Sequence, residues 1–213
     1  MAIQTQGSTG NVMEVDTAFK AARTSIRPPE VLGWNSLGVQ TGGLTGIAAS
    51  AAVFSFRNIA ANPIMVRRIG AGFITTTAFT AAQQVEFGLI VGRSWSVSDT
   101  GGTPIAVLGS NGKHRTSLAT PTSLDCRVSA AAALTAGTRT LDANTMSQQA
   151  GWSAGVGTTI VPAQDNLFQH ATGDYPLILA QNEGFIIQNL FLMGAGGAGK
   201  LHLNMEFAEA LSY

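Results

Sequence analysis

The chain has 213 residues, with twelve Lys and Arg against twelve Asp and Glu, and only 11% of it is charged while 45% is hydrophobic. One domain of that length buries roughly 70% of the surface its unfolded form exposes. The balance excludes a disordered chain, which carries excess charge and little apolar surface, and a free nucleic-acid binder, which needs clustered positive charge. A single cysteine, Cys126, excludes an intramolecular disulfide framework and a zinc site of several thiolates. No apolar run approaches the ~20 residues of a membrane span.

Residues 1 to about 15 read as a polar, Gly-rich flexible arm, because Gln4-Thr5-Gln6-Gly7-Ser8-Thr9-Gly10-Asn11 has little to bury. No basic stretch followed by an apolar one is visible there, so synthesis in a cytoplasm without a standard export signal is expected. Phe19 to Arg27 mixes Ala, which favours helix, with Thr, Ser and Ile, which favour strand. It is read as extended, with Arg23, Ser25 and Arg27 on one side, stopped by Pro28-Pro29.

Val53 to Arg57 alternates and ends at Asn58 and Asn62-Pro63. Ile64 to Thr77 is rich in β-branched residues, and Gly70 and Gly72 are expected to mark bends or bulges. Adjacent Arg67 and Arg68 should then point to opposite faces. Val85 to Trp95 is the best period-two run, with Val85, Phe87, Leu89 and Val91 facing one way. From Ser96 to Pro121 turn signals replace periodicity, and long loops of this kind are functional or held by a partner. Arg127 to Leu134 is compatible with a strand or a short Ala-rich helix, and 142–175 is loop-rich. Gly184 to Leu192 and Lys200 to Phe207 read as two strands of a hairpin joined by the Gly-rich 194–199 turn, with Leu201, Leu203, Met205 and Phe207 buried. Short strands between turn clusters, without a long helical period, predict an all-β chain. It is a single antiparallel β-sandwich or jelly-roll-like domain over 16–213, preceded by the 1–15 arm.

No chemistry stands out against this scaffold. Gly194-x-x-x-x-Gly199-Lys200 opens like a phosphate-binding loop, but Leu201 replaces the Ser or Thr that would bind magnesium, and a strand pattern follows where a helix is required. His114, His170 and His202 have no metal-ligand spacing. Gly92-Arg93-Ser94-Trp95-Ser96 lacks the last glycine of a nucleophile elbow, Cys126 reads as a packed small hydrophobe, and Asp125, Asp142, Asp165 and Asp174 sit in turn-like contexts. Glu206 and Glu209 read as a solvated face. The expectation is a non-enzyme without cofactor or metal. Arg23, Arg27, Trp34, Lys113, His114 and Arg115 are the candidates for contact between subunits, because Arg beside aromatic residues is favoured at interfaces. A soluble domain usually carries about 25% charged residues, so either uncharged polar residues solvate this surface or neighbouring subunits cover it. Trp95 and Trp152 are the aromatics available to a carbohydrate-binding edge.

As a whole the chain resembles a group of tailed-bacteriophage structural proteins of similar length. The segments that carry the resemblance are Gln6-Gly7-Ser8-Thr9-Gly10, Glu14-Val15-Asp16, Arg27-Pro28-Pro29-Glu30, Phe56-Arg57-Asn58, Gly92-Arg93-Ser94-Trp95, Asp99-Thr100-Gly101-Gly102-Thr103, Asn111 to Ser117, Leu134 to Asp142, Asn182-Glu183-Gly184-Phe185 and Glu206-Phe207-Ala208-Glu209. The resemblance implies a virion component and assigns no functional residue. With the low charge and the polar arm, it leads to the expectation of a capsid-associated cement or decoration protein. Its partners would be the major capsid protein and copies of itself, as a dimer or trimer, with no direct contact to nucleic acid or membrane. A tail, baseplate or fibre component, or a carbohydrate-binding module for host attachment, is the alternative.

Overall fold

Every alternating or β-branched segment becomes a strand. The computed structural model describes residues 15–16, 21–22, 31–107, 112–114, 123–153, 165–170 and 176–210, and among these there is no helix. The strands are β1 Val15–Asp16, β2 Ala21–Ala22, β3 Val31–Gln40, β4 Ala51–Asn58, β5 Ile64–Thr77, β6 Gln83–Trp95, β7 Thr103–Pro104, β8 Leu124–Val128, β9 Arg139–Leu141, β10 Ser147–Ser153, β11 Asp165–Gln169, β12 Leu177–Leu179, β13 Gly184–Asn189 and β14 Ala198–Ala210. β1 and β2 pair with each other. The rest of the predicted arm, and of the 19–27 segment, lies outside the described residues.

The remaining strands form two antiparallel sheets packed together as a β-sandwich. The seven-stranded sheet runs β10-β6-β13-β4-β8-β7, with β9 also on β6, and the five-stranded sheet runs β11-β5-β14-β3, with β12 also on β5. The chain alternates between them: β3, β5 and β14 lie in the smaller sheet, β4, β6 and β13 in the larger. Apolar residues of both inner faces meet between the sheets. Phe56 stacks on Phe185 at 5.2 Å and meets Phe207 of the opposite sheet edge-on at 5.5 Å, while Phe73 and Phe87 face each other across the gap at 5.6 Å. Such aromatic pairs add to the burial of their area, which is the main stabilising term.

The structure corrects several expectations. Residues 184–207 are not a hairpin: β13 pairs with β4 and β6, whereas β14 pairs with β3 and β5. The Gly-rich segment between them is a crossover from one sheet to the other. Gly70 and Gly72 keep regular register on β14, opposite Asn204 and His202, while on its other side Gly70 lies at a bulge of β11 that leaves Leu167 unmatched. The bulges of β5 instead leave Arg67 and Thr76 unmatched, where the pairs step from Arg68↔Glu206 to Val66↔Phe207 and from Thr77↔Ala198 to Thr75↔Gly199. The bulge at Arg67 shifts the pleat by one residue. Ile64 and Val66 face the core on one side of it, and Ile69, Ala71 and Phe73 on the other. Arg67 and Arg68 are therefore both excluded from the core face, not divided between two. Of the Arg127–Leu134 segment only Arg127 and Val128 are strand, at the end of β8, and 129–134 is irregular, while the 142–175 stretch read as loop-rich contains β10 and β11.

The two outer faces differ. On the seven-stranded sheet Ala52, Ile90, Trp95, Leu134 and Ile186 form a second, smaller core with Leu141 packed against it. Its lid is the chain's own 129–142 stretch, tied to β4 by Ser129 N–H to Val53 O and Leu134 N–H to Ala52 O, at 2.8 Å each. On the five-stranded sheet the outward Ser36, Gly38, Gln40 and Asn204 are exposed, whereas outward Met65 and Ala208 at its other end are buried.

Candidate interaction face on the five-stranded sheet

The bulge in β5 positions this face. It turns Arg67 outward, where the guanidinium lies over the Trp34 ring at 5.8 Å and 3.9 Å from Glu206. Trp34 itself is half-buried on β3, opposite Ala208. Arg68 donates from Nε to Asn166 Oδ1 at 2.7 Å, and Asn166 in turn donates to Gln169. The Arg68 Nη2 lies 3.9 Å and the Asn166 Oδ1 3.6 Å from where a Cβ of Gly70 would stand, so these side chains cover the backbone there and Gly70 is buried. The next strands continue this row: Asn204 sits between Gly70 and Gly38, and its Oδ1 is 3.2 Å from the missing Cβ of Gly38. The row Gly70, Asn204 and Gly38 thus crosses the sheet, between Arg68, Glu206 and Ser36 on one side and Gly72, His202 and Gln40 on the other.

Two other predicted contact residues join this sheet at its β3 edge. Lys113 bridges to Asn35, framed by Ser36 N–H to Gly112 O at 2.6 Å and His114 N–H to Trp34 O at 2.9 Å. The His114 ring meets the Ser36 hydroxyl at 2.6 Å. Asn35 is buried on the core side, so its bridge partner Lys113 belongs to the edge rather than to the outer face. The middle of the long 96–121 excursion is therefore placed on the chain's own sheet. Trp34, Lys113 and His114, far apart in sequence, come together. Arg23, Arg27 and Arg115 lie outside the described residues.

Arg67 and Arg68 are the members that the sequence reading missed. A signal for them exists: apolar positions are even-numbered at Ile64 and Val66 and odd-numbered at Ile69 and Phe73, and that change of parity requires an extra residue between them.

Three other arginines are already engaged. Arg139 pairs with buried Asp99 and lies over Trp95 at 4.9 Å. Arg93 meets Asp142 at 3.0 Å, a hydrogen bond that raises the Arg93 guanidinium above its ordinary range. Arg57, almost buried, donates to Ser98 Oγ at 3.2 Å and Asn182 Oδ1 at 2.6 Å. Trp95 is buried, so it is no candidate for a ligand-binding edge; Trp152 is 61% exposed. Glu209, expected on a solvated face, is buried and accepts from Asn62 Nδ2 at 2.7 Å. Cys126 is packed in the core, where burial first and the charge of Asp125 second push its thiol pKa up, away from thiolate chemistry. Among the described residues no three His, Cys, Asp or Glu side chains are grouped to hold a metal ion.

No protein family, curated protein or solved structure matches the chain.

Proposed function

We propose that the protein is a virion structural protein of a tailed bacteriophage, a capsid-associated cement or decoration protein that stabilises the head lattice. The observation that carries this reading is the asymmetry of the sandwich. One outer face carries a second core under the chain's own loops, and the other is polar over Ser36, Gly38, Gln40 and Asn204 and carries Arg67 and Arg68, with Met65 and Ala208 buried at one end. A scaffold of this kind is suited to docking by one side. The strand order supports a jelly roll: the first long strand, β3, lies beside the last, β14, and the chain shuttles between sheets. Jelly rolls recur in viral capsid proteins and lectins. The resemblance to phage structural proteins and the low charge point the same way.

On this reading the protein assembles in the host cytoplasm and is retained in the virion, as a dimer or trimer. The sandwich sits on the major capsid protein lattice, and the arm reaches an adjacent subunit, adding contact area against the pressure of packaged DNA. Purified full heads are then expected to contain the protein in hundreds of copies and to lose heat or chelator resistance when it is absent. Heads that lack it, or that are unchanged by its loss, overturn the reading.

The exposed indole of Trp152 favours one alternative, a tail, baseplate or fibre component that contacts host carbohydrate. A dozen or fewer copies per particle, with glycan-array binding abolished in Trp152→Ala, is its signature.

A further inference from the structure

We propose that the Lys113 amine and the Asn35 side-chain amide form an intramolecular isopeptide bond, which ties the 112–114 segment covalently to β3. The proposal goes beyond the cement reading and does not rest on it. Asn35 and Lys113 are partners in an antiparallel bridge. The bonds that frame the bridge, Ser36 N–H to Gly112 O and His114 N–H to Trp34 O, are made by the residues on either side. Asn35 and Lys113 therefore form the narrow, non-hydrogen-bonded kind of pair. In such a pair both side chains leave the same face, with Cβ atoms about 4.5–5.5 Å apart, a gap that a lysine side chain spans. Gly112 permits the approach: its φ is 74°, and a Cβ there would collide with the Ser36 carbonyl.

The face they share is the core side. Asn35 is buried, directly opposite Phe207 on β14, and Lys113 is half-buried. The Asn35 Nδ2 donates to Gly33 O at 3.0 Å, while its Oδ1 has no partner among the described residues. Glu209 follows Phe207 by two residues and lies on the same face, since their partners on β5, Ile64 and Val66, both belong to the core. It sits where β14 bulges past Leu32 and Gly33, the end toward which the Asn35 amide leans. Glu209 is buried; its Oε1 accepts from Asn62, and its Oε2, like the Asn35 Oδ1, has no partner among the described residues. An amine, a primary amide and a carboxyl are thus gathered at one end of the sandwich. In the reaction Lys113 Nζ, as the free amine, adds to Asn35 Cγ, the Cγ–Nδ2 bond breaks, and Nδ2 leaves as ammonia. Glu209 takes the proton that Nζ loses and delivers it to the departing Nδ2. Nothing is oxidised or reduced. The tie closes a long loop and removes conformational freedom from the unfolded chain.

The test is the intact mass of the full chain, purified alone and measured again after prolonged incubation. Wild-type protein should be lighter than its sequence mass by one ammonia, and a tryptic digest should yield one branched peptide that joins the Asn35 and Lys113 segments. That readout needs no variant, so it is independent of how variants fold. Lys113→Arg keeps the charge, should restore the full mass with an unchanged circular dichroism spectrum, and should melt several degrees lower. Glu209→Gln should leave most of the protein unlinked. Wild-type protein that keeps its full sequence mass overturns the proposal, as does an ammonia loss that survives Lys113→Arg. Cyclisation at Asn111-Gly112 would release the same ammonia, so a loss mapped to that dipeptide without a branched peptide also overturns it. Glu209→Gln protein that links at the wild-type rate overturns the part given to Glu209.

Discussion

At the scale of single residues, the low charge of the chain is concentrated in a few buried or paired positions. Asp99 is fully buried beside Arg139, and its other oxygen accepts the Gly137 N–H at 2.8 Å. This carboxylate ties the 96–102 and 135–142 segments over Trp95. Removing one partner of a buried pair leaves an uncompensated charge and costs about 3–5 kcal/mol. Asp99→Ala should therefore lower unfolding stability in urea by that order, and Trp95 fluorescence should report earlier loosening of this end. A loss below about 1 kcal/mol would place the pair among solvent-screened ones. Cys126 makes a pH-dependent prediction. Its thiol pKa is raised in the folded state above the ordinary value near 9, so the folded protein holds the thiol proton more tightly than the unfolded chain does. The stability this contributes is fully present below about pH 9 and is lost as pH rises toward the folded value, by up to about 1.4 kcal/mol per pH unit. Urea titrations between pH 8 and about pH 10.5 should show this slope in wild type and a shallower one in Cys126→Ala.

At the scale of elements, the bulge in β5 matters most. It lets one strand present Ile64 and Val66, then Ile69, Ala71 and Phe73, to the same core while both arginines stay outside. Arg67→Ala removes only an exposed side chain and should cost under about 1 kcal/mol. Deleting Arg67 should be far worse. It restores a plain two-residue period and forces either Ile64 and Val66 or the Ile69–Phe73 set out of the core. The expected readout is an unfolded or aggregated deletion protein beside a folded substitution variant. A deletion protein that melts near wild type would show that the register is not held by this residue. In the crossover from β13 to β14 a Cβ on Gly197 would meet the Phe79 ring at 2.5 Å, and β13 itself begins at a close approach. Gly184, at the start of β13, leaves room for the Phe56 carbonyl, which a Cβ would meet at 2.2 Å, and for the Trp95 ring at 3.0 Å.

At the scale of the whole molecule, both sheets share one inter-sheet core, so they should unfold together. Phe56 touches Phe185 within its own sheet and Phe207 across the gap. Phe56→Ala should cost about 3–5 kcal/mol through lost burial and a cavity. Probes in the two sheets, Trp95 in one and Trp34 in the other, should then shift their midpoints by the same amount. Separate midpoints would mean that each sheet is stabilised mainly by its own outer contacts.

The sequence by itself determined β4, β5, β6 and β13 and the buried set of β14, because period-two alternation and β-branched composition are local properties, but not β3, nor β10 and β11 within the loop-rich 142–175 stretch. It also determined that charge was scarce, and it singled out Trp34, Lys113 and His114. Only the tertiary structure decided which strands share a sheet. Partners in a sandwich are chosen by non-local pairing, so 184–207 reads locally like a hairpin although its strands lie in opposite sheets. Only the tertiary structure decided, too, that the outward alternation of β6 is not solvated: Ile90 and Trp95 are covered by residues far along the chain. The same non-local packing places the 129–142 stretch over one outer face, and a single extra residue turns both Arg67 and Arg68 onto the other.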